Sequence, residues 1–260
     1  MVCSTKARRY LGLLLAALLP GAPVTVDAGV IINGTRHIYP ERQAEITIQL
    51  TNEDAAAPRL VQAWVEPADR RTGPEDSHVP FSLSPPVFRI DAGKGHAMRL
   101  VYSRELLPKD RETLFWLNVL EVPPRFHSSA PLDDEQANQL RFAFRIRTKV
   151  FFRPDQLPGK PDDAPRQLRW SLYKTARGQG LEVHNPSAFH VTFKEVALAL
   201  GPRADARLLR GDTGMVAPGD TLRLVVHEAA PHIPADAQVH FQYINDYGAF
   251  SPPQRAALRL

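Results

Sequence analysis

The residues with the most chemistry to offer are cations set two apart. Between Leu140 and Pro154 the chain reads L-R-F-A-F-R-I-R-T-K-V-F-F-R-P, with Arg141, Arg145, Arg147 and Lys149 at odd positions and Leu140, Phe142, Phe144 and Ile146 at even ones. A period of two belongs to an extended strand, so the cations share one face and the apolar row the other. Such a face is cationic. It contains no nucleophile, and the common catalytic patterns are missing elsewhere. The nine histidines include no H-E-x-x-H spacing, there is no G-x-S-x-G elbow, and Gly93-Lys94-Gly95 lacks the strand-turn-helix setting of a phosphate cradle. His184 and His190 flank a turn and read as surface or hydrogen-bonded residues rather than ligands. Cys3 is the only cysteine, so neither a structural metal site nor a cofactor is expected. The pattern predicts a binding protein and no enzyme, against a hydrolase whose triad is assembled from scattered Ser, His and Asp.

Two readings of the apolar row compete. In one, Leu140, Phe142, Phe144 and Ile146 face the core of a β-sandwich and the arginines face water. In the other, the row lies along an exposed edge, which is a template for adding a strand from another chain. A strand from Leu140 to Pro154 would span roughly 45 Å at about 3.3 Å per residue, long enough to leave one sandwich and reach a neighbour. Pro154, unable to donate to a ladder, ends it.

The elements that must position this strand are short and extended. The chain has 260 residues and 24 prolines, with apolar runs broken by Pro, Gly, Asn and Asp, which predicts an all-β fold. Residues 1–28 read as a secretory signal: Lys6, Arg8 and Arg9 precede the apolar run Leu11 to Leu19, and Val26-Asp27-Ala28 ends in a small residue suited to cleavage. Gly29 is then the expected first residue of the mature chain. Cleavage leaves 29 basic and 27 acidic groups, a balance that gives no footing for nucleic acid. No later segment approaches 18 consecutive apolar residues, so a soluble exported protein without a membrane segment is expected. With Cys3 inside the leader, the mature chain has no disulfide.

Gly29 to Pro40 reads as a first strand carrying Arg36, with the sequon Asn33-Gly34-Thr35 at its entry; Ala44 to Asn52 and Leu60 to Val65 are further strands. Glu66 to His78 reads as an exposed loop. Pro85 to Ile90 and His96 to Tyr102 read as a hairpin about Asp91-Ala92-Gly93-Lys94-Gly95. Leu114 to Val122 is the most apolar strand, and Arg125 to Gln139 a polar loop. Asp155 to Pro165, rich in proline, reads as a linker. These signals divide the chain into residues 1–28, 29–155 and 156–260. The last part carries strands at Gln167 to Lys174, Gly180 to His184, Phe189 to Leu200, Thr221 to Val226 and Ala237 to Ile244.

Three strings then carry a resemblance: T-K-V-F-F-R-P (Thr148 to Pro154), D-R-E-T-L-F-W-L-N-V-L-E-V-P-P (Asp110 to Pro124) and Y-I-N-D-Y-G (Tyr243 to Gly248). In this order they resemble the signatures of the PapD-like family of periplasmic pilus-assembly chaperones. The likeness runs nearly end to end, and the family is one of immunoglobulin-like sandwiches.

The resemblance implies two such domains in a boomerang and a periplasmic chaperone that captures fimbrial subunits by donor-strand complementation, then passes them to an outer-membrane usher. It makes Leu140, Phe142, Phe144 and Ile146 the donor row. It makes Arg36 and Lys149 the anchor of the subunit's C-terminal carboxylate, and Glu112, Arg153 and Asp246 an interdomain ion network. The family divides by the loop before the donor strand into long-loop members braced by a disulfide and short-loop members whose subunits build rod-like pili; residues 125–139 lack the cysteines of the first, which favours the short-loop class, yet are longer than the shortest loops of the second. A second copy of the chain is a candidate cap for the same edge when no subunit is bound. The competing class is a secreted two-domain β-sandwich that binds as a finished module, with its phenylalanine row buried.

Overall fold

In the computed structural model, which describes residues 29–124, 142–175, 178–203, 205–228 and 232–259, two β-sandwiches follow one another along the chain. The signal segment, Cys3, the loop 125–139 and Leu140 lie outside the described residues. The first sandwich comprises β1 (Val30–Ile32), β2 (Arg36–Pro40), β3 (Glu45–Asn52), β4 (Arg59–Pro67), β5 (Phe81–Ser84), β6 (Val87–Ile90), β7 (Gly95–Tyr102), β8 (Thr113–Val122) and β9 (Phe144–Arg153). One sheet has the order β1-β3-β7-β5 and the other β2-β9-β8-β4-β6. Between them pack Ile48 and Leu50 of β3, Met98 and Leu100 of β7, Leu117 and Val119 of β8 and an aromatic cluster of Tyr39, Phe81, Tyr102, Phe115 and Phe152.

Two expectations about connectivity are corrected here. The segment 29–40 is two strands in different sheets: β1 pairs with β3, whereas β2 runs parallel to β9. The switch falls at Gly34, whose φ of +95° suits a residue without a Cβ. The segment about Asp91 to Gly95 is no hairpin either. β6 pairs with β4 and β7 with β3 and β5, so the turn crosses from one layer to the other and both strands face the same core. Turn residues announce a reversal of direction but not whether the returning strand joins its own sheet.

A buried asparagine holds that corner. The Asn52 side-chain amide donates to the carbonyls of Ala57 at 2.9 Å, Ile90 at 3.3 Å and Asp91 at 3.2 Å, while its Oδ1 accepts from the Asp54 N–H. Asn185 does the same in the second sandwich, donating to Phe189, Val216 and Ala217 and accepting from the Ser187 N–H.

That second sandwich contains β10 (Arg169–Thr175), β11 (Gly178–His184), β12 (Val191–Ala199), β13 (Leu208–Arg210), β14 (Met215–Val216), β15 (Thr221–Val225), β16 (Gln238–Ile244) and β17 (Gln254–Arg259). β17 links its two halves, antiparallel to β16 and parallel to β10. Trp170, Phe193 and Phe241 centre its core. The expected all-β fold of two immunoglobulin-like sandwiches is the observed one; β5, β13, β14 and β17 were not foreseen.

Replacing Asn52 by alanine leaves three carbonyls without their donor. Asn52→Ala is expected to cost about 2–4 kcal/mol in urea unfolding, whereas Asn33→Ala on the exposed turn is expected to change stability little.

Candidate functional site

Strand β9 has two environments along its length. From Lys149 to Phe152 it lies between β2 and β8, with Val150 and Phe152 in the core. From Phe144 to Thr148 it pairs with β8 alone among the described residues, leaving an open edge with unpaired backbone groups. The even-numbered row that covers the core in the first half runs out past the sandwich in the second. Ile146 is half-buried against the core, and Phe144 and Phe142 are 56% and 61% exposed. The strand begins at Phe144, four residues later than its alternation predicts.

The odd-numbered row does not simply face water. Arg145 Nη2 donates to Glu66 Oε2 at 2.8 Å and Arg147 to Oε1 of the same carboxylate. Glu66 has 0% exposure and accepts a further bond from the Thr72 N–H at 3.0 Å. Burial works to raise its pKa, but Thr72, Arg147 and Arg145 together hold it below the ordinary carboxylate value. Arg145 Nε also reaches Asn118 Oδ1 at 2.9 Å. Its guanidinium lies 4.7 Å from the Trp64 ring centroid, and that of Arg147 lies 4.5 Å from the Trp116 centroid. The expectation that 66–78 is an exposed loop therefore fails at its first residue. Glu66 closes β4 on the outer face of the sheet, where two arginines of β9 cover it. Its signal in the sequence was a carboxylate in phase with Gln62 and Trp64 on the strand; pairing with β9 was not readable.

The cleft between the sandwiches holds the other predicted residues. Arg36 and Lys149 are direct partners in the parallel β2–β9 ladder. Arg36 Nη1 donates to the Ile244 carbonyl at 3.0 Å, and its guanidinium lies 5.8 Å from the Phe151 ring. Neither cation has an ion-pair partner among the described residues. Burial, followed by the neighbouring charge of Arg36, lowers the Lys149 pKa from 10.5 to about 8. Burial also lowers that of Arg36, although Asp246 and Glu112 pull it back. Two cations side by side in a half-dry cleft, neither in a direct ion pair among the described residues, carry positive charge that a carboxylate could neutralise.

Glu112, Arg153 and Asp246 meet across the same cleft. Arg153 Nε donates to Glu112 Oε1 at 2.7 Å, and Nη1 and Nη2 fork onto the Asp246 carboxylate at 2.7 and 3.0 Å. Burial acts against the Arg153 charge, yet the two carboxylates outweigh it and raise the pKa. Glu112 Oε2 also accepts from the His190 backbone N–H at 2.8 Å. The His190 ring lies tilted against Phe151, with ring centroids 5.2 Å apart, so it joins the two domains. Among the described residues no cluster of His, Cys, Asp and Glu could hold a metal ion.

An open edge strand running into a cationic cleft between two immunoglobulin-like domains defines a protein that holds extended chain. Residues 29–158 match the family model of the PapD N-terminal domain of pili and flagellar-assembly chaperones, and residues 163–255 match that of the PapD C-terminal domain of pili-assembly chaperones. The chain belongs to this family of assembly chaperones, which are not enzymes. It is 39% identical to the probable fimbrial chaperone YadV of Escherichia coli K12 over 85% of this chain and 87% of that protein. With the chaperone FimB/FhaD of Bordetella pertussis it shares 35% identity over 96% and 97% of the two chains. Among solved structures it is similar to the SafB chaperone in complex with the SafA pilin of Salmonella enterica, with a TM-score of 0.68 and 28% identity, covering 90% of this chain and 99% of that one.

Within the ion network the two carboxylates differ. Glu112 has a side-chain exposure of 2% and serves both Arg153 and His190, whereas Asp246 is 32% exposed. Glu112→Ala is expected to cost about 3–5 kcal/mol by leaving Arg153 partly uncompensated. Asp246→Ala should cost clearly less, since water can replace it; thermal melts of the two variants give the order.

Proposed function

We propose that this protein is a periplasmic chaperone of fimbrial subunits. Arg36 and Lys149 take the subunit's C-terminal carboxylate, and β9 lends the missing strand with Phe142, Phe144 and Ile146 as its inserted row, continued by Leu140. The subunit then passes to an outer-membrane usher. The observation that carries this reading is the adjacency of an unneutralised cation pair and an open edge. Lys149 stands where the β2–β9 ladder begins, and the free edge runs from that point past Thr148 to Phe144. A carboxylate bound at Arg36 and Lys149 therefore sets the register of a chain added along the edge. Each large side chain that fills a groove in the subunit contributes about 1.5–3 kcal/mol. The complex of the related SafB chaperone with a pilin supports the same partner class. Export rests on the leader read at residues 1–28, and no described helix is long and apolar enough to cross a membrane. When no subunit is bound, a second copy pairing on the same edge would hide it. The ion network of Glu112, Arg153 and Asp246 sets the angle between the domains in this reading.

Phe144→Glu is expected to leave the melting temperature within a few degrees of the parent and to abolish recovery of a co-expressed pilin, because the side chain already faces water. Collapse of the melt would return the row to the core.

Lys149 carries a prediction of two signs. Its pKa is depressed in the folded protein, so it opposes folding below pH 8 and that penalty is relieved as pH rises from about 8 towards 10.5. Lys149→Met is therefore expected to melt higher than the parent at pH 7 while losing about 30-fold to several thousand-fold in subunit affinity. Arg36→Ala should lose affinity similarly, with Arg36→Lys a partial rescue. In the parent, capture should weaken as pH rises above about 8, where the free site must first regain a proton. Titration of subunit binding from pH 6 to 9.5 reads this directly, and normal recovery with both Arg36→Ala and Lys149→Met removes the anchor.

A further inference from the structure

The start of β1 meets a carboxylate that has no counter-charge among the described residues. Glu121 follows Leu117 and Val119 on the inward face of β8 and is 3% exposed. Its described hydrogen bond comes from the backbone N–H of Val30. No lysine, arginine or histidine among the described residues forms an ion pair with it, although every other buried carboxylate of this sandwich has one: Asp54 pairs with Arg59, Glu66 with Arg145 and Arg147, and Glu112 with Arg153. A buried carboxylate with one N–H donor and no opposite charge is unfavourable.

Gly29 stands directly against this group. A Cβ at position 29 would lie 2.3 Å from Glu121 Oε1 and 2.5 Å from Oε2, so only glycine fits. Cβ and N of one residue are about 2.5 Å apart by standard geometry, which puts the Gly29 nitrogen within about 5 Å of both oxygens. The backbone is tied there, because the Gly29 carbonyl accepts from the Glu53 N–H at 3.2 Å and Val30 pairs with Asn52.

We propose that cleavage between Ala28 and Gly29 turns this nitrogen into the missing cation, an N-terminal ammonium group ion-paired with Glu121, so that the first sandwich reaches full stability only in the processed chain. The inference rests on the export reading under Proposed function. The step is a hydrolysis by a peptidase that removes export leaders. The Ala28–Gly29 C–N bond breaks, the oxygen of water enters the new Ala28 carboxylate, and both its protons end on the Gly29 nitrogen, which at neutral pH carries three. In the unprocessed chain the same nitrogen is a neutral amide, and Glu121 lacks that cation. That weakens the fold in a chain that has still to be exported. The location adds a consequence for binding: Glu121 is the ladder partner of Phe144, so the pair braces the end of the sheet from which the open edge departs.

The test starts from the intact mass of the protein purified from the periplasm. Gly29 is the expected first residue, and a different start overturns the proposal at its cleavage step. Full-length mature chains are then prepared beginning at Gly29, at Ala28, and at N-acetylated Gly29, each with Glu121 and with Glu121→Gln. The Ala28 and acetylated chains are expected to melt about 4–8 °C below the Gly29 chain, and Glu121→Gln should erase that difference. Acylation of the Gly29 amine by an N-hydroxysuccinimide ester should be about tenfold slower in the parent than in Glu121→Gln, a protection that simple packing at this position does not supply. Equal melting of the three starts with Glu121 present overturns the ion pair. Subunit recovery by the Gly29 chain, measured in parallel, tells that failure apart from a failure of the chaperone reading.

Discussion

The structure depends on one strand having to be core and edge at once. β9 contributes Val150 and Phe152 to the first core, yet among the described residues its other half has a neighbour on one side only. A bare edge half would tend to fray or to pair indiscriminately. Here it is held from the outer face, where Arg145 and Arg147 close on Glu66 and lie over Trp64 and Trp116. Bonds made by side chains on the outer face leave the backbone groups of the edge and the apolar row on the other face free. The strand is thereby kept extended without a second strand partner, and a strand already extended loses less conformational entropy when another chain pairs with it.

The electrostatics of the cleft follow from how its two carboxylates are distributed. Both Glu112 and Asp246 are engaged by the guanidinium of Arg153, which takes one on Nε and forks onto the other. No carboxylate among the described residues pairs directly with Arg36 or Lys149, although Asp246 and Glu112 act on Arg36 through space. The satisfied trio joins the two domains, and the unsatisfied pair carries the cost of partial burial, visible in the fall of the Lys149 pKa to about 8. A group destabilised in the free protein and relieved by a partner's charge gains more from binding than one already hydrated.

Much of this was legible in residue order and some was not. Period two identified β9 and β3 because alternate residues face the core, and three short strings carried the family. What the pattern could not carry was anything fixed by pairing between distant strands. The split of residues 29–40 over two sheets turns on Gly34, and the crossing near Asp91 depends on a bonding site, Asn52, about forty residues upstream. Glu66 looked like the first residue of a polar loop because the two arginines that bury it lie 79 and 81 positions further on. β17 escaped because Q-R-A-A-L-R has little apolar contrast and becomes a strand through neighbours on both sides.

Register is the last consequence of these arrangements. Slipping β9 by one residue against β8 would turn Phe152 and Val150 out of the core and carry Arg145 and Arg147 away from Glu66. The hydrophobic and the ionic faces thus specify the same alignment independently. Arg36 and Lys149 are ladder partners within that alignment, so the position of the cation pair along the edge is as fixed as the core itself. In the proposed reading, a partner chain whose terminal carboxylate sat at that pair would have its register along the edge, and hence the side it turns to Phe144 and Phe142, set by the same alignment.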